Sequence, residues 1–360
     1  MVARLQRSLL AWYARARRDL PWRRTRDPYA IWLSEVMLQQ TRVETVIPYY
    51  ERFLAAYPTV EALADAPLDD VLARWSGLGY YRRARALHAG AAHVRDACGG
   101  AFPSTPEELL RVPGIGKYTA GAVASIAFQA RAPLVDGNVA RVLARLFAID
   151  DDVRGARGQA ALWRIANELV PERAPGDWNQ ALMELGATTC APRAPRCLVC
   201  PVRADCCAHR EGLTGDLPRL APRAAPRGWA RVALVAERTS PKGGKVLLAR
   251  RAGAGLFGGM WEPPMVDAAD DRAGELAALG RLVGARITKA GDAGSVTHVL
   301  SHRRMTIACL RIPMPRAPRL GPSAEYDALE AVALGDLEGR GVSALARKVL
   351  AAAGAAPLPE

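Results

Sequence analysis

Four cysteines lie close together near the middle of the chain, and their spacing constrains the fold of that region more than any other feature. They are Cys190, Cys197, Cys200 and Cys206, separated by six, two and five residues. The paired C-x2-C knuckles that are typical of zinc ribbons are not present. No other part of the chain looks secreted, which disfavours a disulfide framework. The spacing therefore predicts one metal centre held by four thiolates.

The composition points to a large basic protein. The chain has 360 residues and carries 49 Lys and Arg against 36 Asp and Glu, a net charge of +13. This length suffices for two or three domains, and the positive surplus predicts a polyanionic partner. No apolar run approaches the roughly 18 residues that span a bilayer, and the N-terminus lacks the pattern of a signal peptide. We therefore expect a cytoplasmic protein with no membrane association.

The chain divides into regions of different periodicity. Residues 1–209 show helical periodicity nearly throughout, and residues 210–228 are rich in Pro, Gly and Arg, which is typical of a linker. Residues 229–355 predict an α/β domain. Its expected strands are 231–237, 245–250 and 305–312, and its expected helices are 271–283 and 342–353.

Residues 113–116, Pro-Gly-Ile-Gly, lie between two predicted helices. Gly114 and Gly116 allow positive φ angles and a close approach of the backbone to a ligand. The helix that follows presents unpaired N–H groups and the positive end of its dipole. This pattern favours a helix-hairpin-helix that holds a DNA phosphate, although a glycine can also simply end a helix.

Two carboxylates are candidates for acid–base chemistry. Glu35 lies in the predicted helix 29–40 among apolar neighbours, so desolvation should raise its pKa and keep it protonated as a general acid. Asp136 precedes another predicted helix, whose N-terminus should favour the anion. The simpler interpretations are a solvated Glu and an ordinary helix cap. Together the two predict one neutral and one charged carboxyl group, as acid-assisted bond cleavage requires.

Six motifs accompany the cysteine loop, and the ordered set closely resembles MutY-type adenine DNA glycosylases of the endonuclease III superfamily. The resemblance covers residues 1–210 and, more weakly, the C-terminal domain. It implies an all-α helix-hairpin-helix glycosylase core, a six-helix barrel with a [4Fe–4S] loop, followed by an α/β Nudix-like domain. The motifs are Leu20-Pro-Trp-Arg, Trp32-Leu-Ser-Glu-Val-Met-Leu-Gln-Gln-Thr, Gly77-Leu-Gly-Tyr-Tyr, Pro113-Gly-Ile-Gly, Val135-Asp-Gly-Asn-Val and Asn179-Gln-Ala-Leu-Met-Glu-Leu-Gly.

The resemblance implies hydrolysis of the N-glycosidic bond of adenine mispaired with 8-oxoguanine or guanine, after the base is flipped out of double-stranded DNA. Glu35 would protonate adenine at N7 and Asp136 would stabilise the oxocarbenium ion, with Tyr118 and Asn138 positioning these groups. The protein would be a monomer that associates with the nucleoid through DNA. The ligands of a [4Fe–4S] cluster would be Cys190, Cys197, Cys200 and Cys206, with zinc as the alternative metal.

The resemblance also implies which residues contact DNA. One group of residues would form the adenine pocket, a second would enter the duplex, a third would bind phosphate, and a fourth, in the hairpin 297–302, would contact 8-oxoguanine. In that order the groups are Trp22, Arg23 and Gln180; Gln39 and Tyr80; Gly114 and Gly116; and Ser301 and His302. Core packing is the alternative for the aromatic residues, and an ordinary strand position is the alternative for the histidine.

One position bears on the reaction subclass. In relatives that also cut the strand, a lysine two residues after the second hairpin glycine forms a Schiff base. This chain has Tyr118 there, which implies a monofunctional glycosylase. The alternatives are a bifunctional endonuclease III-type glycosylase and AP lyase, a non-catalytic damage sensor, and a Nudix hydrolase. The last would need an acid cluster after the loop 255–264, where only Glu275 is available.

Overall fold

A computed structural model of the chain describes residues 1–222, 224–239, 244–253, 255–300 and 302–355. Packing divides the chain into two compact units. The first unit contains Met1–Asp65 and Ala89–Pro222, and the second contains Ala66–His88 and Arg223–Glu360. The predicted boundaries at residues 209 and 229 stay a prediction, because packing groups the helical segment Ala66–His88 with the C-terminal residues.

The described part of the first 222 residues is helical and has no strand, as the periodicity predicted. Short 3₁₀ turns cover Pro21–Arg23, Cys197–Val199 and Arg203–Asp205. The helices are α1 Val2–Ala16, α2 Pro28–Leu38, α3 Val43–Ala56, α4 Val60–Asp65, α5 Leu68–Trp75, α6 Arg82–Ala97, α7 Pro106–Leu109, α8 Lys117–Phe128, α9 Gly137–Leu146, α10 Ala156–Leu169, α11 Pro175–Thr188 and α12 Cys207–Arg210.

Helix α2 is the most deeply buried of the elements that carry a candidate catalytic residue. Asp27 caps it by accepting hydrogen bonds from the backbone N–H groups of Tyr29 and Ala30, and Pro28 occupies its first position, where no N–H partner is needed. Its apolar residues are spread around the whole circumference, so the helix is buried on all sides and packs against α3 and α8.

The second unit contains a mixed sheet. Its described strands run in the order β3-β2-β1-β6-β5, with β4 also paired to β1 and β7 also paired to β2. The pair β1 and β6 is parallel, and the other pairs are antiparallel. The bounds are β1 Arg227–Arg238, β2 Lys245–Arg251, β3 Trp261–Glu262, β4 Met265–Asp267, β5 Gly291–Val299, β6 Arg303–Pro313 and β7 Tyr326–Ala333, with helices α13 Arg272–Val283 and α14 Ala344–Ala352.

The two helices cover opposite faces of this sheet. Side chains of β1 alternate between a core that includes α14 and a core that includes α13, as the two-residue period of a strand requires. The predicted strands β1, β2 and β6 and both predicted helices are present. The strands β3, β4, β5 and β7 were not predicted. Most of β5 is polar and exposed, and β7 is rich in Ala, Leu and Glu, which favour helices.

Much of the segment predicted as a linker is folded against the first unit. Within 210–222, the backbone carbonyl of the buried Leu217 accepts a hydrogen bond of 2.9 Å from Arg145 Nε. Arg219 Nε lies 2.8 Å from Asp150 Oδ1. The composition was typical of a linker because prolines and glycines prevent regular structure, but they do not prevent packing. Among the described residues of the whole chain, no helix has the length and apolar character that crossing a bilayer requires.

The packing of α8 makes a testable prediction about Gly121. A Cβ atom at this position would lie 2.0 Å from the carbonyl oxygen of Pro133, so the backbone would have to move. We expect Gly121→Ala to lower the free energy of unfolding by about 1–3 kcal/mol in urea titrations followed by circular dichroism. Gly215→Ala is the matched control, since nothing lies within 4 Å of its Cβ. Equal stability of the two variants would contradict this account of the packing.

Candidate active site

A cavity in the first unit brings together seven of the residues predicted to act on adenine. Its volume is about 700 Å³ with the open mouth included. Each wall comes from a different element: α2, the first turn of α8, the start of α9, one face of α11 and the 3₁₀ turn at Pro21–Arg23. The lining residues are Arg18, Leu20, Trp22, Arg23, Glu35, Leu38, Thr41, Val43, Tyr118, Asp136, Asn138, Gln180, Met183, Glu184 and Ala187.

Glu35 is almost completely buried in the wall of this cavity, with 4% of its surface exposed. Burial raises the pKa of its carboxyl group to about 7, and the negative charge of Asp136 acts in the same direction. A hydrogen bond from Tyr118 and the charge of Arg23 oppose this rise without cancelling it. Glu35 can therefore carry a proton near neutral pH, as its apolar helix predicted.

Tyr118 holds the carboxyl group of Glu35 in place. Its hydroxyl donates a hydrogen bond to Glu35 Oε2 and lies 3.4 Å from the sulfur of Met183. Burial, together with the nearby carboxylates of Glu35 and Asp136, raises the pKa of Tyr118 well above 10, so the phenol stays neutral and remains a donor. Lys117, one residue earlier, is not among the lining residues, and its ammonium lies 5.9 Å from the ring centre of Trp163.

Asp136 caps α9 and also faces the cavity. Its Oδ1 accepts a hydrogen bond of 2.7 Å from the backbone N–H of Val139, and its Oδ2 accepts one of 3.0 Å from Asn138 Nδ2. We expected the helix N-terminus to favour the anion of this carboxyl group. Burial instead raises the pKa of Asp136, and the hydrogen bonds and Arg141 only partly offset that effect. Desolvation in this enclosed position raises the pKa more than the hydrogen bonds of the helix cap lower it. The sequence did not reveal that the position is enclosed.

A buried ion-pair network also lines this cavity. Its central residue, Glu184, was not predicted from the sequence. The side chain of Glu184 is completely buried, and it accepts hydrogen bonds of 2.8 and 2.9 Å from Arg18 and 2.8 Å from Arg23. Burial alone would raise the pKa of Glu184, but the two guanidinium groups outweigh it and lower the pKa to about 2. The spacing of Gln180, Glu184 and Ala187, by four and then three residues, places them on one helix face. This spacing could have indicated that Glu184 lies beside Gln180 in the cavity.

The hairpin before α8 leaves its backbone accessible. Gly114 has a φ of +82°, and Gly116 caps α8 in an extended conformation. Nothing lies within 4 Å of a Cβ built on Gly116, so a ligand can approach the N–H groups at the start of the helix. Helix α7 ends at Leu109, three residues earlier than the periodicity predicted, and irregular turns lead to the hairpin.

The remaining predicted DNA contacts lie outside this cavity lining. Gln39 ends α2, and its Nε2 lies 3.4 Å from Thr119 Oγ1 in the first unit. Tyr80, in the second unit, is 49% exposed and has a φ of +50°. His302 is exposed, and its carbonyl accepts a hydrogen bond of 3.1 Å from the N–H of Arg227. Ser301 lies outside the described residues.

The four clustered cysteines surround a second cavity in the first unit, of about 320 Å³ with its mouth included. Among the described residues, no three His, Cys, Asp or Glu side chains are close enough together to hold a single metal ion. Arg145 Nη1 lies 3.3 Å from Cys190 Sγ, an arrangement that suits a thiolate. Burial and the neighbouring thiols raise the pKa of Cys200 to about 11, so a cationic centre is needed to keep it ionised. These residues fit a multi-iron cluster.

The second unit lacks the acid cluster of a Nudix hydrolase in its described residues. Glu275 on α13 pairs with Arg272 at 3.2 Å, and no group of three acidic or histidine side chains surrounds it. Glu262 is buried and bonded to Arg251 and Tyr326. Both acidic side chains therefore already have partners within this unit.

Two families match the chain in succession. Residues 33–168 match the HhH-GPD superfamily base excision DNA repair proteins, and residues 235–352 match the NUDIX domain. A solved structure described as a thermostable thymine-DNA glycosylase is similar, with a TM-score of 0.52 and 32% identity, covering 58% of this chain and 97% of that one. These matches confirm the predicted fold class, a helical glycosylase core followed by a Nudix-like domain.

The chain is also similar to curated proteins over most of its length. The adenine DNA glycosylase of Mus musculus is 38% identical, covering 88% of this chain and 72% of that protein. The adenine DNA glycosylase of Homo sapiens is 40% identical, covering 83% of this chain and 65% of that protein. The match therefore spans about two thirds to three quarters of those longer relatives. This chain belongs to the adenine DNA glycosylases, a family of hydrolases that cleave N-glycosidic bonds.

Proposed function

We propose that this chain removes adenine mispaired with 8-oxoguanine or guanine from double-stranded DNA, as a monomer and by base flipping. The observation that carries the proposal is the buried, protonatable Glu35, which shares one cavity with Asp136. The cavity opens to solvent, so a base extruded from the duplex could enter it. The net charge of +13 supports a nucleic-acid partner.

The proposed reaction begins with a proton transfer from Glu35 to N7 of the flipped adenine. The electron pair of the bond between C1′ and N9 then leaves with the purine, and positive charge develops on the sugar. Asp136 stabilises that charge by its own negative charge or by a transient bond to C1′. Water adds to C1′, its proton returns to a carboxylate, and the products are free adenine and an abasic site. Glu35 and Asp136 supply the two carboxyl groups that cleavage of a glycosidic bond requires.

The other lining residues select and orient the base. Trp22 and Gln180 line the cavity, and we propose that Trp22 stacks on adenine and that Gln180 hydrogen-bonds with its edge. Asn138 donates to one oxygen of Asp136. Arg23 is engaged by Glu184 and by the carbonyl of Arg18 at 3.0 Å, so its guanidinium is fixed in direction. A fixed donor favours one orientation of the substrate.

The reaction is proposed to be monofunctional because, among the described residues, the cavity lining contains no lysine that could form a Schiff base. Tyr118 stands two residues after the second hairpin glycine, and its neutral phenol donates to Glu35. The ammonium of Lys117 is directed to Trp163. These contacts favour hydrolysis over strand cleavage and disfavour the bifunctional alternative.

The remaining predicted residues are proposed to bind the duplex. The N–H groups at Gly114 and Gly116 would contact a phosphate, Gln39 and Tyr80 would enter the space that adenine leaves, and Ser301 and His302 would read the opposite base. The exposed, positive-φ Tyr80 and the open face of Gly116 support these roles.

We further propose that Cys190, Cys197, Cys200 and Cys206 hold a [4Fe–4S] cluster. When bound, the cluster supplies the structural cross-link of this loop and takes no part in hydrolysis. The protein residues keep the loop in shape around it: Arg145 donates to the carbonyl oxygens of Ala191 and Pro192 at 2.7 and 3.1 Å. Arginine side chains of this loop could then meet phosphate.

Replacing Glu35 tests the proposed acid. We expect Glu35→Gln to lower the single-turnover rate of adenine release by at least about 100-fold, because the amide cannot protonate N7. Binding to a duplex with adenine opposite 8-oxoguanine should remain. The assay uses adenine opposite each normal base and opposite 8-oxoguanine, and it scores direct strand cleavage separately from abasic sites revealed by alkali.

The matched control is Glu168→Gln, since Glu168 is exposed and pairs with Arg164 on the same helix. It should release adenine at the unsubstituted rate. Full turnover by Glu35→Gln would refute the assignment of the acid, and strand cleavage without alkali would refute the monofunctional proposal.

The raised pKa of Glu35 makes the rate depend on pH. A general acid works in its protonated form, so the single-turnover rate should be high below about pH 7 and fall above it. The hydrogen bond from Tyr118 lowers the pKa of Glu35, so Tyr118→Phe should move the fall to higher pH. Rate profiles from pH 5 to 9 measure both midpoints; an unmoved or lower midpoint in the variant would contradict this explanation.

Removing one cysteine tests the cluster. We expect Cys200→Ser to lose the visible absorbance and about four iron atoms per chain, and to bind DNA more weakly. Cys207→Ser is the control, because Cys207 adjoins Cys206 but does not line the cysteine cavity. Iron and sulfide analysis of both proteins gives the result; one zinc per chain in the unsubstituted protein would overturn the proposal.

A further inference from the structure

Two turns of the second unit share an unusual backbone pattern. In each turn, Gly77–Tyr80 and Gly255–Gly259, the chain has three positive φ angles, two of them at glycines and the third at an aromatic residue. Tyr80 has a φ of +50° and Phe257 a φ of +55°. Glycine adopts this conformation without steric cost, whereas a bulky side chain does so only when its surroundings hold it there. The contacts of the two rings are therefore informative.

The ring of Phe257 lies between the two parts of this unit that are proposed to meet DNA. Its centre is 6.4 Å from that of Tyr81, with 60° between the planes, and 6.1 Å from that of His298, at 58°. Tyr81 is buried and directly follows Tyr80 in the chain. His298 belongs to β5, which contains the first residues of the segment 297–302 that was predicted to contact 8-oxoguanine. The rings of Phe257 and Tyr81 meet edge to face, and those of Phe257 and His298 are tilted relative to each other at a contact distance.

The backbone that carries Phe257 is fixed by hydrogen bonds on both sides. The backbone N–H of Arg251 donates a hydrogen bond of 2.9 Å to the carbonyl of Met260 and closes the turn. The N–H of Met260 donates to the carbonyl of Phe257, also at 2.9 Å. Arg85, on α6, donates to the carbonyl of Gly258. A Cβ on Gly258 would lie 2.2 Å from that guanidinium and 2.6 Å from the carbonyl oxygen of Gly253, so the backbone would have to move to accept a side chain here. The backbone at Phe257 is therefore held in place.

We propose that Phe257 is a positioning residue that couples the duplex-entering turn at Tyr80 to the hairpin that reads the base opposite adenine. The inference rests on the proposed function. Guanine and 8-oxoguanine differ at few atoms, and such a difference changes a rate only if the contacting groups are held within a fraction of an ångström. The contacts with Tyr81 and His298 supply that restraint. Phe257 therefore determines how strongly adenine opposite 8-oxoguanine is preferred to adenine opposite guanine.

The test uses the full chain and compares single-turnover rates of adenine release from the two duplexes. Phe257→Leu keeps an apolar side chain but lacks the aromatic edges, and Phe257→Ala also removes most of the volume. We expect both to lower the ratio of the rates, 8-oxoguanine over guanine, by roughly tenfold, with the guanine duplex within about twofold of the unsubstituted rate. Phe257→Tyr should preserve the ratio.

The matched control is Leu256→Ala, because Leu256 packs against the same core as Phe257 and is not part of the aromatic contacts. It should preserve the ratio even if it lowers the melting temperature. An unchanged ratio in Phe257→Leu, or equal losses of rate on both duplexes, would show that Phe257 is only a core residue. Either result would overturn this inference and leave the proposed function standing. Failure of the unsubstituted chain to release adenine from either duplex would overturn the proposed function, and this inference with it.

Discussion

The burial of a single carboxyl group is the constraint on which the rest of the proposed site depends. Glu35 lies in a helix that is apolar around its whole circumference, so the surrounding protein removes water from it and raises its pKa to about 7. A nearby arginine could cancel this effect by forming an ion pair. Arg23 does not, because Glu184 already binds its guanidinium. The network around Glu184 thus protects the protonated state of Glu35.

The same cavity holds two glutamates whose pKa values lie far apart, and their hydrogen-bond partners differ. Glu184 has two guanidinium groups and a pKa of about 2, whereas Glu35 has a neutral phenol and a pKa of about 7. Burial raises the pKa of Asp136, and the backbone and amide donors oppose that rise without overcoming it. Positive charge that develops on the sugar would favour the anion of Asp136.

Local signals explain which elements were predictable. Asp27 and Pro28 mark the start of α2, and Asp271 caps α13 by accepting from the N–H of Gly274, so these helices could be placed from neighbouring residues. Strands β5 and β7 have no comparable signal. Their stability comes from pairing with β6 and β2, which lie elsewhere in the chain. The grouping of Ala66–His88 with the sheet is likewise a property of packing.

The helical core, the cysteine spacing, the glycine hairpin and the carboxyl group in an apolar helix could all be read from the chain, because each depends on residues that are close together in sequence. The partners of those groups could not be read in this way, because they come together only when the chain folds. Glu184 meets Arg18 across 166 positions of the chain, and the ring of Phe257 meets Tyr81 across a similar distance. Charge states and ring contacts depend on distance in space, and distance along the chain does not specify it.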